Sequence, residues 1–276
     1  DSAAVLRTGR MLLGPAGELP VHIGLYVPSG PGPFPVILAL EPVWHEDLMP
    51  VGRLYAERGF IFAGFEKKDA DEDNEDRGDG LHPLYPDYDW GTLGAWAWAA
   101  MRLLDCLVQL PYVDAGHVAI MGHSRCGKTA LLAGALDERF ALVAPHGSGA
   151  GGAGSFRMAG KNCETLELIT QKKRFHYWFH PRLAEFARKV KRLPFDQHFL
   201  RALVAPRALF SMDGLEDLWA NPSGTKAMWE ASQPVFDLLG APKNNAAYFR
   251  PGGHDTTLED WKAFLDFAAA QFHAGK

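Results

Sequence analysis

The sequence is poor in cysteine, in excess positive charge and in long apolar runs. Its 276 residues contain three cysteines, Cys106, Cys126 and Cys163, and an odd number implies no disulfide framework. No apolar run approaches the length that a bilayer-spanning helix needs, so we expect no membrane partner. The net charge of -5 gives no sign of a concentrated basic face that binds a phosphate backbone, so we also expect no nucleic-acid partner.

The chain also lacks internal repeats and low-complexity linkers that would divide it into separate units. Its length and its 47% of hydrophobic residues suit one α/β domain with a large core. We therefore predict a single domain over residues 1–276, with a helical and aromatic insertion at about 155–195. The chain begins at Asp1 rather than at Met, from which we expect that a signal peptide has been removed and that the protein is secreted or periplasmic.

Short apolar runs alternate with segments long enough to form helices. Residues 21–27 alternate in polarity and predict an antiparallel strand. Short apolar runs, typical of strands that are buried on both faces, lie at 36–40, 60–65, 118–121, 140–144 and 208–212, and residues 245–250 are predicted as the last strand. Helical patterns lie at 49–58, 91–110, 129–136, 222–239 and 258–272. This alternation predicts an α/β fold with a doubly wound, mostly parallel sheet between two helical layers.

Acidic residues fill the segment 69–80, which superficially matches a calcium-binding loop. The match fails at the sixth position, which is Asn74 rather than Gly, and at the twelfth, which is Gly80 rather than Glu. We therefore predict a solvated acidic loop and no metal site.

The segment 122–129 connects an apolar run to a helical pattern and fits two motifs with different chemistries. The Gly two residues before Ser124 is typical of a serine nucleophile elbow, a strand-turn-helix that exposes a reactive hydroxyl. The same residues also satisfy the phosphate-binding pattern of nucleotide hydrolases, with Lys128 and Thr129 in its last positions. The segment alone leaves both alternatives open.

Residues further along the chain favour the elbow. A nucleotide hydrolase needs a Mg²⁺-holding carboxylate, for which Asp213 at the end of a strand is a candidate. An esterase needs an acid after a later strand and a His after the last strand, and the chain has Glu216, Asp217 and His254 in that order. The His accepts the serine proton, and the acid holds the imidazole in the tautomer that can do so. We therefore predict a serine carboxylester hydrolase, with the nucleotide hydrolase as a distant alternative.

Six motifs together identify a family. They are Gly-x-Ser-Arg-x-Gly-Lys at 122–128, Ser-Gly-Ala-Gly-Gly at 148–152, Leu-Pro-Phe-Asp-Gln-His at 193–198, Ala-Pro-Arg at 205–207, Glu-Asp-Leu-Trp-Ala-Asn-Pro at 216–222 and Gly-Gly-His at 252–254. In this combination the chain resembles the glucuronoyl esterases, carbohydrate esterase family 15, and particularly their bacterial branch. The resemblance implies an α/β-hydrolase fold and cleavage, through an acyl-enzyme, of esters between (4-O-methyl) glucuronic acid of xylan and lignin alcohols. It implies no metal or organic cofactor.

The resemblance also implies roles for individual residues. Ser124 corresponds to the nucleophile, His254 to the general base and acid, and Arg125 to the side chain that stabilises the oxyanion. Lys128, Trp219 and Glu164 correspond to residues that contact the sugar. Other carbohydrate or aryl esterases, such as acetyl esterases, remain the alternative within the enzymes, and a carbohydrate-binding relative without hydrolytic activity is the alternative outside them.

Two positions depart from the family pattern. Many members have a catalytic Glu directly before the Ser-Gly-Ala-Gly-Gly motif, where this chain has Gly147. The acid must then follow the later strand, and we predict Asp217, with Glu216 as the alternative. Members commonly have Cys where His123 stands, so this chain lacks a disulfide that they use.

Overall fold

The computed structural model describes residues 4–273, so the expectation drawn from Asp1 lies outside the described residues. Within this range the chain forms eight strands: β1 (Ala4–Leu13), β2 (Leu19–Pro28), β3 (Phe34–Ala39), β4 (Ile61–Phe65), β5 (Val113–His123), β6 (Phe140–His146), β7 (Ala208–Gly214) and β8 (Asn245–Arg250). They form one sheet in the order β1-β2-β4-β3-β5-β6-β7-β8. The pairs β1–β2 and β2–β4 are antiparallel and the others are parallel, which confirms the predicted mostly parallel sheet.

Eight α-helices accompany the strands in the described range: α1 (Met49–Glu57), α2 (Lys67–Ala70), α3 (Thr92–Leu107), α4 (Arg125–Leu136), α5 (Leu166–Ile169), α6 (Gln197–Ala202), α7 (Pro222–Leu238) and α8 (Leu258–His273). Short 3-10 turns lie at His176–Trp178, Pro181–Phe186, Val190–Arg192 and Pro242–Asn244. Between residues 4 and 273, no helix combines the length and the apolar character that crossing a membrane requires.

Alternating side chains of the central strands build the two cores. In β3, Val36 and Leu38 pack into a cluster with apolar residues of α3 and α4, whereas Ile37 and Ala39 pack into a cluster with residues of α1 and α8. This period of two follows from strand geometry, which points successive side chains to opposite faces. Both faces of the sheet are therefore covered by helices, as the predicted three-layer arrangement requires.

Two regions differ from the sequence predictions. We predicted no strand before residue 21, yet β1 pairs with β2 along ten residues as an exposed edge strand, with Val5 and Leu12 facing solvent. The predicted helical insertion contains only the one-turn α5 and three 3-10 turns between residues 161 and 193. Its Pro181 lacks a backbone N–H, and its aromatic residues are divided between two clusters rather than along one helical stripe, with Trp178 in the main core and Phe186 against a small separate cluster.

The topology brings the loops after β5, β6, β7 and β8 to one edge of the sheet, because parallel strands end at the same side. Ligands of open α/β sheets bind at this edge. Each of these four loops contains one residue discussed above, namely Ser124, Gly147, Asp217 and His254 in chain order. The fold thus collects residues that are far apart in the chain.

Candidate active site

Ser124 lies in a strained turn between β5 and α4. Its backbone dihedral angles are φ 57° and ψ -122°, a conformation that residues other than glycine rarely adopt. Glycine is required on both sides: a Cβ at Gly122 would lie 2.2 Å from the Cys126 carbonyl oxygen, and one at Gly127 would lie 2.9 Å from the Gly122 oxygen. The tight turn is that of a nucleophile elbow, which presents the serine hydroxyl above the sheet edge.

A chain of hydrogen bonds connects Ser124 to a buried carboxylate. The Oγ atom of Ser124 lies 3.0 Å from Nε2 of His254, and Nδ1 of His254 lies 2.5 Å from Oδ2 of Asp217. The Asp217 side chain is 2% exposed, and its other oxygen accepts a hydrogen bond from the Ala220 amide. Glu216, the alternative acid, is exposed to solvent. The structure thus brings together the three residues of the predicted order and selects Asp217 as the carboxylate that meets the imidazole.

The surroundings of Asp217 keep it negatively charged. Burial acts to raise the pKa of this carboxyl, but the hydrogen bonds from His254 and from the Ala220 amide outweigh burial and lower the pKa below its usual value. An ionised carboxylate at Nδ1 fixes the tautomer in which Nε2 is free to accept a proton from Ser124. The arrangement can therefore perform general-base chemistry at the serine hydroxyl.

Gly147 explains why the acid is not on the loop after β6. Its φ is +51°, in the left-handed region, and a Cβ there would lie 3.5 Å from Nδ1 of His254. A side chain at this position would indeed approach the imidazole, as the family pattern implies. The same Cβ would lie 3.3 Å from the ring of His123. In this chain the His123 ring occupies the neighbouring space.

His123 and His146 were not predicted as site residues. The His123 ring centroid lies 4.5 Å from that of His254 and 4.9 Å from that of His146, so the three imidazoles form a row beneath the elbow. Burial, and then the charge of His254, lower the pKa of His123 to about 4, while burial, and then His123, lower the pKa of His146 to about 3. Both rings are therefore neutral at pH 7. In the sequence, His123 could have been recognised as a site residue because it directly precedes Ser124.

Arg125 begins α4 directly after Ser124. Its side chain is 43% exposed, and its Nη1 donates a hydrogen bond to the carboxylate of Asp73. Its guanidinium carbon lies 5.3 Å from the ring centroid of Trp178. Neither Asp73, on the acidic loop, nor Trp178, on the insertion, was predicted to meet this side chain, because their contacts depend on how remote segments pack.

The three residues predicted to contact the sugar lie together. The buried Nζ atom of Lys128 donates to Oε2 of Glu164 at 2.6 Å and to the carbonyl oxygens of Ser148 and Ala150. The Glu164 amide donates to the carbonyl oxygen of Trp219, whose side chain is half-buried. Lys128 and Glu164 thus hold the glycine-rich loop after β6 in place, and their contact with a sugar stays a prediction.

The nucleotide-hydrolase alternative is contradicted by the positions of its three residues. The Lys128 ammonium is 3% exposed and bonded to internal acceptors, so it is not presented to a phosphate group. The Thr129 hydroxyl donates to the Arg125 carbonyl oxygen at 3.0 Å. Asp213 is 1% exposed, so its carboxyl is not presented to a Mg²⁺ ion, and burial, and then the charge of Asp217, raise its pKa well above the usual range.

Known proteins are similar to this chain in sequence and in fold. The profile of the family described as glucuronyl esterase, fungi, matches residues 17–240. A carbohydrate esterase from an unknown prokaryotic organism is 37% identical over 194 residues, which are 65% of this chain and 44% of that protein. The 4-O-methyl-glucuronoyl methylesterase of Podospora anserina is 32% identical over 237 residues, which are 82% of this chain and 48% of that protein.

A solved structure extends the similarity to three dimensions. The carbohydrate esterase family 15 glucuronoyl esterase from Caldicellulosiruptor kristjansonii superposes with a TM-score of 0.85 at 32% identity, covering 98% of this chain and 80% of that chain. The chain spans about half the length of the curated relatives it matches. With its profile match, its curated relatives and this structural neighbour, the chain belongs to the glucuronyl esterase family, carbohydrate esterase family 15.

Proposed function

We propose that this protein is a serine carboxylester hydrolase that cleaves glucuronoyl esters. Its substrates are esters between (4-O-methyl) glucuronic acid of xylan and lignin alcohols. One observation carries the proposal: the hydrogen-bonded series from Ser124 through His254 to the buried Asp217. The similarity to the Podospora anserina 4-O-methyl-glucuronoyl methylesterase supports the choice of ester.

The reaction proceeds in two acyl-transfer steps. Ser124 Oγ attacks the ester carbonyl carbon while His254 Nε2 accepts the hydroxyl proton, and Asp217 stabilises the imidazolium that forms. The imidazolium then gives its proton to the departing alcohol, which leaves a glucuronoyl ester on Ser124. Water, deprotonated by His254, attacks this acyl-enzyme and releases glucuronic acid and free Ser124.

The developing oxyanion is stabilised next to the elbow. The backbone N–H that follows the nucleophile is that of Arg125, and the guanidinium of the same residue adds a charged donor. On the acid side of the ester, Trp219 offers an aromatic face to the sugar ring, while the buried ion pair of Lys128 and Glu164 fixes the glycine-rich loop after β6. Because polymeric xylan and lignin do not enter cells, we propose a secreted or periplasmic location.

Steady-state kinetics on matched esters test this function. The methyl and benzyl esters of glucuronic acid are compared with acetylated xylose and p-nitrophenyl acetate, with Ser124→Ala as the inactive control. We expect the larger kcat/KM for the uronate esters. A preference for acetyl esters would instead favour another carbohydrate or aryl esterase. If a fluorophosphonate probe fails to label the wild-type serine, the protein is a carbohydrate-binding relative without hydrolytic activity.

A further inference from the structure

The acidic loop, residues 69–80, reaches the active site through one carboxylate. Asp73 is 16% exposed on its side chain and accepts a hydrogen bond from Nη1 of Arg125. We predicted a solvated loop, but this carboxylate is withdrawn from solvent and forms an ion pair beside the elbow.

Asp73 also binds the insertion from the opposite side. The Trp178 Nε1 atom donates to Oδ1 of Asp73 at 2.7 Å, and the Tyr177 hydroxyl donates to the Asp73 carbonyl oxygen at 3.0 Å. Burial, and then the charge of Asp73, raise the pKa of Tyr177 to about 12, so the phenol remains a donor. One residue thus joins three segments: the acidic loop, the first residue of α4 and the insertion.

The base of the acidic loop is anchored independently of Arg125. The Trp96 Nε1 atom on α3 donates to the Asp71 carbonyl oxygen at 2.8 Å, and the Leu81 amide donates to the Ala70 oxygen at 2.8 Å. The Asp71 carboxylate lies 3.2 Å from Nε2 of His82 inside the protein. These contacts make the loop a fixed support on which Asp73 is held.

Arg125 needs such a support. An arginine side chain has many rotamers, and this one is 43% exposed, so it would move freely without partners. Asp73 accepts a hydrogen bond from Nη1 of the guanidinium, and the guanidinium carbon lies over the Trp178 ring, 5.3 Å from its centroid. A donor that is already aligned when the oxyanion forms stabilises the transition state without reorganisation.

We propose that Asp73 is a positioning residue that holds the Arg125 guanidinium in the orientation needed at the oxyanion. This inference rests on the proposed function, in which Arg125 stabilises the tetrahedral intermediate. Asp73 itself does not touch the reacting atoms. Its contribution is therefore to kcat and depends on the presence of Arg125.

A double-mutant cycle tests this dependence. The wild type, Asp73→Ala, Arg125→Ala and the double variant are assayed on benzyl glucuronate and on p-nitrophenyl acetate. Asp73→Ala should lower kcat by about tenfold or more with a smaller change in KM, because the donor is misplaced. In the Arg125→Ala background the same substitution should change kcat by less than about twofold. Asp73→Asn, which keeps an acceptor oxygen, should retain part of kcat.

Glu75→Gln is the matched control. It removes a negative charge from the same loop at a residue whose side chain pairs with His176 at 3.6 Å and is 72% exposed. Its kcat should equal that of the wild type. An equal loss in both Arg125 backgrounds would overturn the proposal, since Asp73 would then act on the loop alone. An unchanged or raised kcat for Asp73→Ala would also overturn it.

The two substrates separate this inference from the proposed function. If the wild type cleaves p-nitrophenyl acetate but not benzyl glucuronate, the glucuronoyl assignment is wrong while the cycle on the acetate still decides the role of Asp73. If both substrates are cleaved and the cycle shows no coupling, the function stands and the positioning role is wrong. Thermal unfolding of each variant checks that the fold is kept.

Discussion

Asp217 and His254 lie 37 positions apart in the chain, yet Oδ2 of the first meets Nδ1 of the second at 2.5 Å. The contact forms because β7 and β8 are neighbours and end at the same edge of the sheet. Glu216, one residue before Asp217, has the same charge but an exposed side chain. Two adjacent carboxylates therefore have different environments, and this difference can be measured.

Asp217→Asn should lower kcat by about 10⁴-fold, because an amide no longer selects the tautomer that leaves Nε2 free. Glu216→Gln should change kcat by less than about threefold, because exposed carboxylates contribute little. Both variants are assayed on benzyl glucuronate, with thermal unfolding as a check on the fold. The opposite ranking would show that Glu216 is the acid.

Ser124→Ala and His254→Ala should each lower kcat by about 10⁴-fold to 10⁶-fold, because the nucleophile and its base act as one unit. Combining them should cost little more than either alone, since their contributions are not additive. The melting temperature should change by a few degrees at most. Both side chains are partly exposed, so neither substitution removes a fully buried contact. Substantial activity in either variant would contradict the proposed mechanism.

His123→Phe should make the free energy of unfolding less dependent on pH. The pKa of His123 is about 4 in the folded protein and about 6.5 in the unfolded chain. Between these values the unfolded chain binds more protons, so the wild type loses stability as pH falls through this window. The loss from this residue should be roughly 2 to 3 kcal/mol, and the Phe variant should lack it.

Urea unfolding at about pH 7 and about pH 4.5 measures this effect as the difference between wild type and variant. The comparison cancels the contribution of titrating groups that do not interact with His123, among them Asp71, whose pKa is raised to about 7 by burial. His45→Phe, which removes an exposed histidine, is the matched control. A parallel decline of the wild type and His123→Phe would contradict the prediction.

Lys128→Met should destabilise the protein by about 3 to 5 kcal/mol, because it leaves the buried Glu164 carboxylate without its charged partner. Adding Glu164→Gln should recover part of the loss, since no unpaired charge then remains inside. Urea unfolding of the two single variants and the double variant gives the coupling free energy. Strictly additive losses would mean that the pair does not stabilise the loop as a unit.

Local patterns predicted the sheet and the order of the site residues. Apolar runs and helical periodicity depend on neighbours in sequence, and the elbow is readable because Gly122 and Gly127 must lack side chains. The edge strand β1 was missed because its exposed positions carry apolar residues, so its pattern does not alternate by burial. The insertion was predicted to be helical, but it forms only short turns, and its aromatic residues are divided between the main core and a small separate cluster.

Contacts between remote segments could not be predicted from the sequence. Asp73 meets Arg125 across 52 positions and Trp178 across 105, and no periodicity encodes such pairings. The row of imidazoles depends likewise on β5 and β6 being adjacent, which places His123 against His146. The order of Ser124, Asp217 and His254 in the chain could be predicted because the topology of the sheet fixes which loops meet.

The shared space beside His254 constrains how the acid could change position. A glutamate at residue 147 would have to adopt a positive φ, which costs roughly 1 kcal/mol or more, and would press against the His123 ring. A smaller side chain at residue 123 would give a carboxylate at residue 147 more room. The residue beside the nucleophile therefore influences which of two loops can supply the partner of the imidazole.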